Sequence, residues 1–397
     1  MKNYLTLVLA LSFAAAPALA SRARLEALGE GQGGSYYIDD SRNIFLNPAE
    51  IVHYKKKLLL ELGDNNNAAP EVSAAGALTS QVEGGFTNTF GDYTYGLYLN
   101  NNSQRAQTIT GGVNSALAAL GSTERFLGPD STLEFFFAGE GATNWGVSLF
   151  YAGNNARVAS GIQETEYLMG LRAGVDMNNW AVFTTIGLAE SSKNKNATND
   201  EIKGKPSFDL AATYKSDAMT YFVKGSSYGA DITLGGAAAT QDRNTALGLG
   251  FGHKHDFSKT VTMFTRLEAS YLKSTNEGGA APQAAFMMWN VPVVFGAEAQ
   301  ALSWLAIRGS IAQSLLGQTM NGAIQNSLAN TTTIGAGVGL TFGDIQIDGL
   351  VASGIANNVE TASAIGPTPG FGTAPQAKNN FGFGDNMLTR IAMTYNF

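Results

Sequence analysis

Cysteine is absent from this 397-residue sequence. No disulfide can hold the chain together, and no thiolate is available to ligate a metal. Histidine is nearly absent as well, with His53, His253 and His255 the whole complement. His253 and His255 stand two apart beside Asp256 and could share a strand face as metal ligands. With no further ligand nearby, they read instead as rim residues beside the "HDFSK" turn. A Ser/His/Asp set needs its histidine facing the nucleophile, and histidines confined to strand ends do not supply one. The expectation is a protein that is not an enzyme and has neither a metal site nor a cofactor. Charged residues are only 14% of the chain and the formal net charge is −7, which excludes a nucleic-acid surface. No apolar run approaches the roughly 18 residues that a spanning helix needs. Runs such as "GLGFGHKH" lack the strand-to-helix transition of a phosphate loop.

Glycine (47 residues) and aromatics (22 Phe, 14 Tyr) are plentiful, arranged with a period of two. In "NWGVSLFYAG", Trp145, Val147, Leu149 and Tyr151 oppose Gly146, Ser148 and Phe150. In "EYLMGLRAGVD", Tyr167, Met169, Leu171, Ala173 and Val175 oppose Glu166, Gly170, Arg172 and Asp176. Such alternation marks strands with one apolar and one polar face. Trp145, Trp180, Tyr93, Tyr221 and Phe342 stand beside short turns, and Tyr151, Tyr167 and Tyr271 near the other strand ends. Two aromatic girdles are what the two interfaces of a bilayer select.

Residues 1–20, "MKNYLTLVLALSFAAAPALA", combine Lys2, a short apolar run and Ala18-Leu19-Ala20. They read as a secretory signal cleaved after Ala20. Residues 21–52 form a periplasmic segment or a plug, and residues 53–397 the barrel. Seven short turns, near 90–92, 140–143, 176–179, 215–218, 256–259, 300–303 and 342–344, alternate with longer segments. The fold class is therefore all-β: a transmembrane antiparallel up-and-down barrel of about 16 strands, with 14 or 18 as alternatives, short periplasmic turns and long outer loops. Val113, Ala116, Leu117 and Leu120 have helical spacing within the second of those loops, and Pro292 should mark a bulge in its strand.

The chain ends "MLTRIAMTYNF", with Phe397, Tyr395, Met393 and Ile391 on one face. If the last strand closes the barrel against the first, that face meets lipid. The pattern resembles the C-terminal signal by which outer-membrane proteins are recognised for assembly. Opposite the apolar faces lie the charges expected to line the lumen: Lys55, Lys57, Glu134, Glu166, Arg172, Asp209, Lys224, Arg266, Glu268, Arg308, Asp348 and Arg390. Both signs are present, which suits water and small polar solutes. Outward-facing small residues such as Ala269 and Ala336 favour homo-oligomers.

The stretch "DDSRNIFLNPAEI", through Asn47, Pro48 and Ala49, resembles the start of the long-chain fatty-acid transporters, where Asn-Pro-Ala follows an N-terminal hatch. Over residues 53 to 397 the order of elements resembles Gram-negative porins. The whole chain, including "YYIDDSRNIFLNPA" and the glycine-rich strands, looks most like the porin-like major outer-membrane proteins of Bdellovibrio-type predatory bacteria. That resemblance implies ring-shaped homo-oligomers enclosing membrane lipid. The expected function is a porin-like outer-membrane barrel, either a diffusion channel or such a ring. A hydrophobic transporter with a hatch, or a structural or adhesive surface barrel, is the alternative. The expected partners are membrane lipid, the outer-membrane assembly machinery and further copies of the chain, and no nucleic acid.

Overall fold

A computed structural model describes residues 21–31, 33–63, 81–101, 132–157, 163–194, 200–233, 240–277, 285–321, 324–328, 332–353 and 390–397. The signal at 1–20 and the helical spacing at 113–120 lie outside these. The barrel strands are β1 (Lys57–Gly63), β2 (Gln81–Phe90), β3 (Tyr93–Leu99), β4 (Leu133–Gly139), β5 (Asn144–Arg157), β6 (Gln163–Met177), β7 (Trp180–Asn194) and β8 (Asp200–Gly204 with Ser207–Ser216). They continue as β9 (Met219–Thr233), β10 (Thr240–Ser258), β11 (Val261–Glu277), β12 (Phe286–Leu302), β13 (Leu305–Asn321), β14 (Ile324–Ser327 with Thr332–Phe342), β15 (Ile345–Ser353) and β16 (Arg390–Asn396). Both pieces of β8 pair with β7 and β9, and both pieces of β14 pair with β13, so the eighteen segments make sixteen strands. The gap in β8 holds Pro206, which has no N–H to donate.

Every strand is antiparallel to its neighbours in sequence, and β16 pairs with β1 from Lys57↔Asn396 to Gly63↔Arg390. Closure removes the sheet edge that would otherwise offer unpaired backbone groups. It also explains the C-terminal pattern, because Ile391, Tyr395 and Phe397 are exposed on the outer face. The same face carries Leu58, Leu60, Leu62, Val147, Leu149, Leu247, Leu249, Ile307 and Ile311. An exposed apolar belt on a closed barrel needs hydrocarbon around it, which makes this a barrel of the outer-membrane type.

All seven short turns occur. Gly91, Asn178, Asp217 and Gly343 take positive φ in them (58°, 51°, 51° and 60°), the conformation such tight turns require. Two turns sit further along than the sequence suggests, because bulges at Asp256/Ser258 and Gln300/Leu302 each lengthen a strand before it turns. On the outer side the strands run deep into the segments read as loops, β7 reaching Asn194 and β8 starting at Asp200. The periplasmic girdle is continuous in places: Tyr93 stacks on Phe137 at 5.1 Å, Trp180 lies 4.6 Å from Tyr214, and Trp304 stacks on Phe342 at 6.4 Å. Tyr151, Tyr167 and Tyr271 are exposed at the other end. Pro292 of β12 faces a register shift against β13, as a strand proline should.

The first strand starts at Lys57. His53 ends a 3-10 helix, Pro48–His53, that belongs to the segment before the barrel. That segment lies inside the lumen. It comprises α1 (Arg22–Ala27) and the 3-10 helices Ser41–Phe45 and Pro48–His53. Ile44, Phe45, Ile51, Val52 and Tyr54 pack against Leu59, Tyr98, Phe136 and Ala138 of the wall. Leu25, Leu28, Tyr37 and Ile38 pack with Phe264, and Ala23 and Ala27 with Leu350. Wall glycines make room for it. A Cβ on Gly337 would lie 2.6 Å from the Ala27 Cβ, one on Gly335 2.7 Å from the Glu26 carbonyl oxygen, and one on Gly296 2.8 Å from that of Leu28. The glycine-rich face of β14 is thus the seat of α1.

Candidate gate in the barrel lumen

Of the charges read from the sequence, Glu134, Glu166, Lys224, Arg266, Glu268, Arg308, Asp348 and Arg390 are buried within the barrel. Lys55 is exposed, outside any strand, and pairs with Glu140 in the β4–β5 turn. It is a rim residue and lines no lumen, since the chain has not yet entered the sheet there. Lys57 opens β1 on the inner face, with its Nζ 5.0 Å from the Tyr54 ring centroid. The assembly residues Phe397, Tyr395 and Ile391 face outward.

Several of the other charges meet the hatch, residues 21–54, directly or through a wall neighbour. Arg266 bonds Glu30 at 2.9 Å and its wall neighbour Glu268 at 2.8 Å, and Lys224 reaches Glu268 at 2.7 Å. Arg390 faces Glu26 at 3.6 Å. Arg22 and Arg42 of the hatch converge on Glu83, Arg22 also reaching Glu61, and both donate to Asn101 Oδ1. Arg24 donates to Asp40 and to Glu298, each at 3.0 Å, and Arg308 contacts Glu298 and Asp348, each at 2.5 Å. The sequence did not single out Glu61, Glu83 or Glu298. They follow the same inward alternation, but which inward charges the hatch would meet depends on its path.

Glu134 and Arg172 pair with each other on the wall, with Ser148 Oγ donating to Glu134 at 2.7 Å and Arg172 4.5 Å from the Phe150 ring centroid. Glu166 stands apart: it is buried, and neither carboxyl oxygen has a hydrogen-bond partner. At the level of the hatch, wall charges are spent on the chain's own N-terminal segment.

Burial pushes the Glu30 and Asp40 carboxyls up from their ordinary values, against the arginines that face them. Burial, then repulsion from Arg42, brings Arg22 down to about 10. At the periplasmic mouth His53 is held above its ordinary value, first by the Asp176 carboxylate 3.9 Å away, with Glu50 adding attraction. Lys215 and Lys254 flank Asp39 there at 3.9 and 3.6 Å. A solvent-open crevice with a volume of about 30 Å³ lies between the hatch and the wall, lined by Tyr36, Asp39, Asn43, Asn47, Asp176 and Trp180 among others. Asn47 caps the Pro48–His53 helix by accepting from the Ala49 N–H at 3.1 Å, and Pro48 opens that helix, so the Asn47-Pro48-Ala49 motif is a helix start. His253 and His255 stack at 5.9 Å near the periplasmic end of β10, on the face opposite Gly252, whose inner side meets Tyr37. Among the described residues no three His, Asp or Glu side chains form a metal-binding group.

No family model matches the sequence, and no curated protein matches it. Among solved structures the chain is similar to a Pseudomonas aeruginosa FadL homologue, at 12% identity and a TM-score of 0.39, over 92% of this chain and 96% of that one. It is similar to the Ralstonia pickettii toluene transporter TbuX, at 11% identity and a TM-score of 0.38, over 96% of this chain and 99% of that one. A third similarity is to OmpT, an outer membrane protein of Vibrio cholerae, at 12% identity and a TM-score of 0.36, over 71% of this chain and 94% of that one. Likeness at this level carries no information about cargo.

Proposed function

We propose that the protein is a hatch-gated transporter of the bacterial outer membrane whose cargo is a small molecule with an apolar body and a polar end. The observation that carries the reading is the occupied lumen: residues 21–54 fill it and consume the wall charges at their level. A standing diffusion pore would leave those charges to water. Toward the outer side, the inward face of the wall carries Phe150, Leu168, Ile202, Leu272 and Met288 beside Asn244, Ser274, Asn290 and Ser314, with the carboxylates Glu166, Glu190 and Asp200 among them. Apolar surface with scattered hydrogen-bonding groups suits an amphipathic molecule better than a hydrated ion. The resemblance of Asn47-Pro48-Ala49 to the fatty-acid transporters points the same way.

Planar-bilayer recording of the full chain and of a variant lacking residues 21–54 tests the gate. The full chain should open only rarely and the deletion should conduct steadily. Equal conductance from both would overturn it. Uptake of a fluorescent long-chain fatty acid, compared with a sugar of similar size, tests the cargo. Preference for the sugar would return the reading to a polar-solute channel.

A second reading, the lipid-enclosing homo-oligomer, rests on the outward exposure of Ala269 and the outward position of Ala336, where small side chains permit close approach of two barrels. Native mass spectrometry in mild detergent measures it directly. No catalytic activity is part of either reading.

A further inference from the structure

We propose that the α-ammonium of Ser21, released when the leader is cut away, is itself the last ionic contact of the hatch, so that processing completes its seat. This rests on the reading of residues 1–20 as a removable signal and of residues 21–54 as a hatch.

Ser21 is completely buried. Its backbone nitrogen lies 3.4 Å from Asp40 Oδ2, and its hydroxyl donates to Asp348 Oδ2 at 3.0 Å while accepting from the Arg24 N–H at 3.0 Å. Asp40 and Asp348 are the two ends of one alternating chain of charges: Asp40, Arg24, Glu298, Arg308, Asp348. Two guanidinium groups stand there against three carboxylates, with Lys57 acting on Asp40 only from beyond ion-pair distance, so the chain is one paired cation short of neutral. Both carboxylates at its open ends reach the same residue, Ser21. The neighbouring groups are balanced: Arg22 and Arg42 face Glu61 and Glu83, Arg390 faces Glu26, and Lys224 and Arg266 face Glu30 and Glu268.

An excess negative charge in a site that excludes water is costly unless a cation meets it. An amide nitrogen offers one neutral donor. Hydrolysis of the Ala20–Ser21 bond consumes a water, leaves the new carboxylate on Ala20 and turns the Ser21 nitrogen into an amine. With an α-amino pKa of about 7.7–8.0 that amine takes up a proton at neutral pH. The ammonium then supplies three donors and the missing charge, and the Asp40–Asp348 chain closes on itself.

The test uses the full processed protein purified from outer membranes. Mass spectrometry should place the N-terminus at Ser21. Treatment with an amine-acylating reagent at neutral pH should leave the Ser21 α-amine unmodified in the folded barrel and modify it after heat unfolding. Inserting one glycine between Ala20 and Ser21 should restore labelling of the folded protein, and Asp348→Asn should restore it in part. Ser21→Ala, which keeps the ammonium and loses only the hydroxyl, should stay protected. An N-terminus at another residue, or equal labelling of folded and unfolded wild type, would overturn the proposal. The labelling does not depend on conductance, so it separates this inference from the gating reading.

Discussion

Asn47 Oδ1 lies so close over Gly174 of β6 that a Cβ there would overlap it. The amide side chain is held by its cap on Ala49, so it cannot easily turn away. Gly174→Ile should therefore unseat the periplasmic half of the hatch while leaving the wall paired, at an overpacking cost of about 1–3 kcal/mol. Limited proteolysis should then cut within residues 40–54 of a barrel that still runs as folded by heat-modifiable mobility. A protease-resistant hatch in this variant would contradict the packing described.

Arg266 ties the hatch to the wall through Glu30 and Glu268, and Lys224 stays with Glu268 when it is removed. Arg266→Met leaves Glu30 buried without its cation. Breaking a buried pair from one side costs about 3–5 kcal/mol, which should appear as faster hydrogen exchange in residues 25–38. Adding Glu30→Gln should recover part of the loss. If the double variant exchanges faster than Arg266→Met alone, the pair is not what holds that stretch.

Glu166 is buried with both carboxyl oxygens unpartnered. Glu166→Leu should raise the temperature at which the barrel loses heat-modifiable mobility, since an unsatisfied buried polar group costs about 1–3 kcal/mol. A lowered temperature would mean that the carboxylate has a stabilising contact.

His53 makes the hatch pH-sensitive at the periplasmic mouth, where Asp176, Glu50 and Lys215 face it. Its seated value is raised, so its contribution is fully present below the free value of about 6.5 and is lost as pH rises through the seated value. Channel openings in a bilayer should become more frequent over that rise, and His53→Gln should flatten the dependence. Openings that become rarer as pH rises would reverse the sign and remove His53 from the clasp.

Phe397 faces outward beside Tyr395, ring centroids 6.1 Å apart, and its N–H donates to the Lys56 carbonyl at 3.0 Å. Phe397→Asp should cut outer-membrane insertion, whereas Phe397→Tyr should not. The desolvation cost near an interface is only about 0–1 kcal/mol, so a strong defect would report recognition during assembly. Normal levels of folded Phe397→Asp protein would remove that role.

The sequence by itself determined the barrel. Alternation assigns each strand residue to lipid or lumen whatever its partners, so the outward Phe397 and Tyr395 and the inward Arg266, Arg308 and Asp348 were legible residue by residue. The seven short turns were legible for the same reason, since tight turns demand particular residues locally. Only the tertiary structure decided what the inward charges do. Arg24 meets Glu298, and Ser21 meets Asp348, across separations of 274 and 327 residues. No local pattern encodes those meetings, because they depend on the path of a segment that has no sheet of its own. Lys55 shows the limit from the other side: alternation was extended one turn too far, into a rim where no pleat imposes it. The wall glycines needed both levels. Their abundance was visible at once, but that Gly174, Gly335 and Gly337 form a seat emerged only when the hatch lay against them.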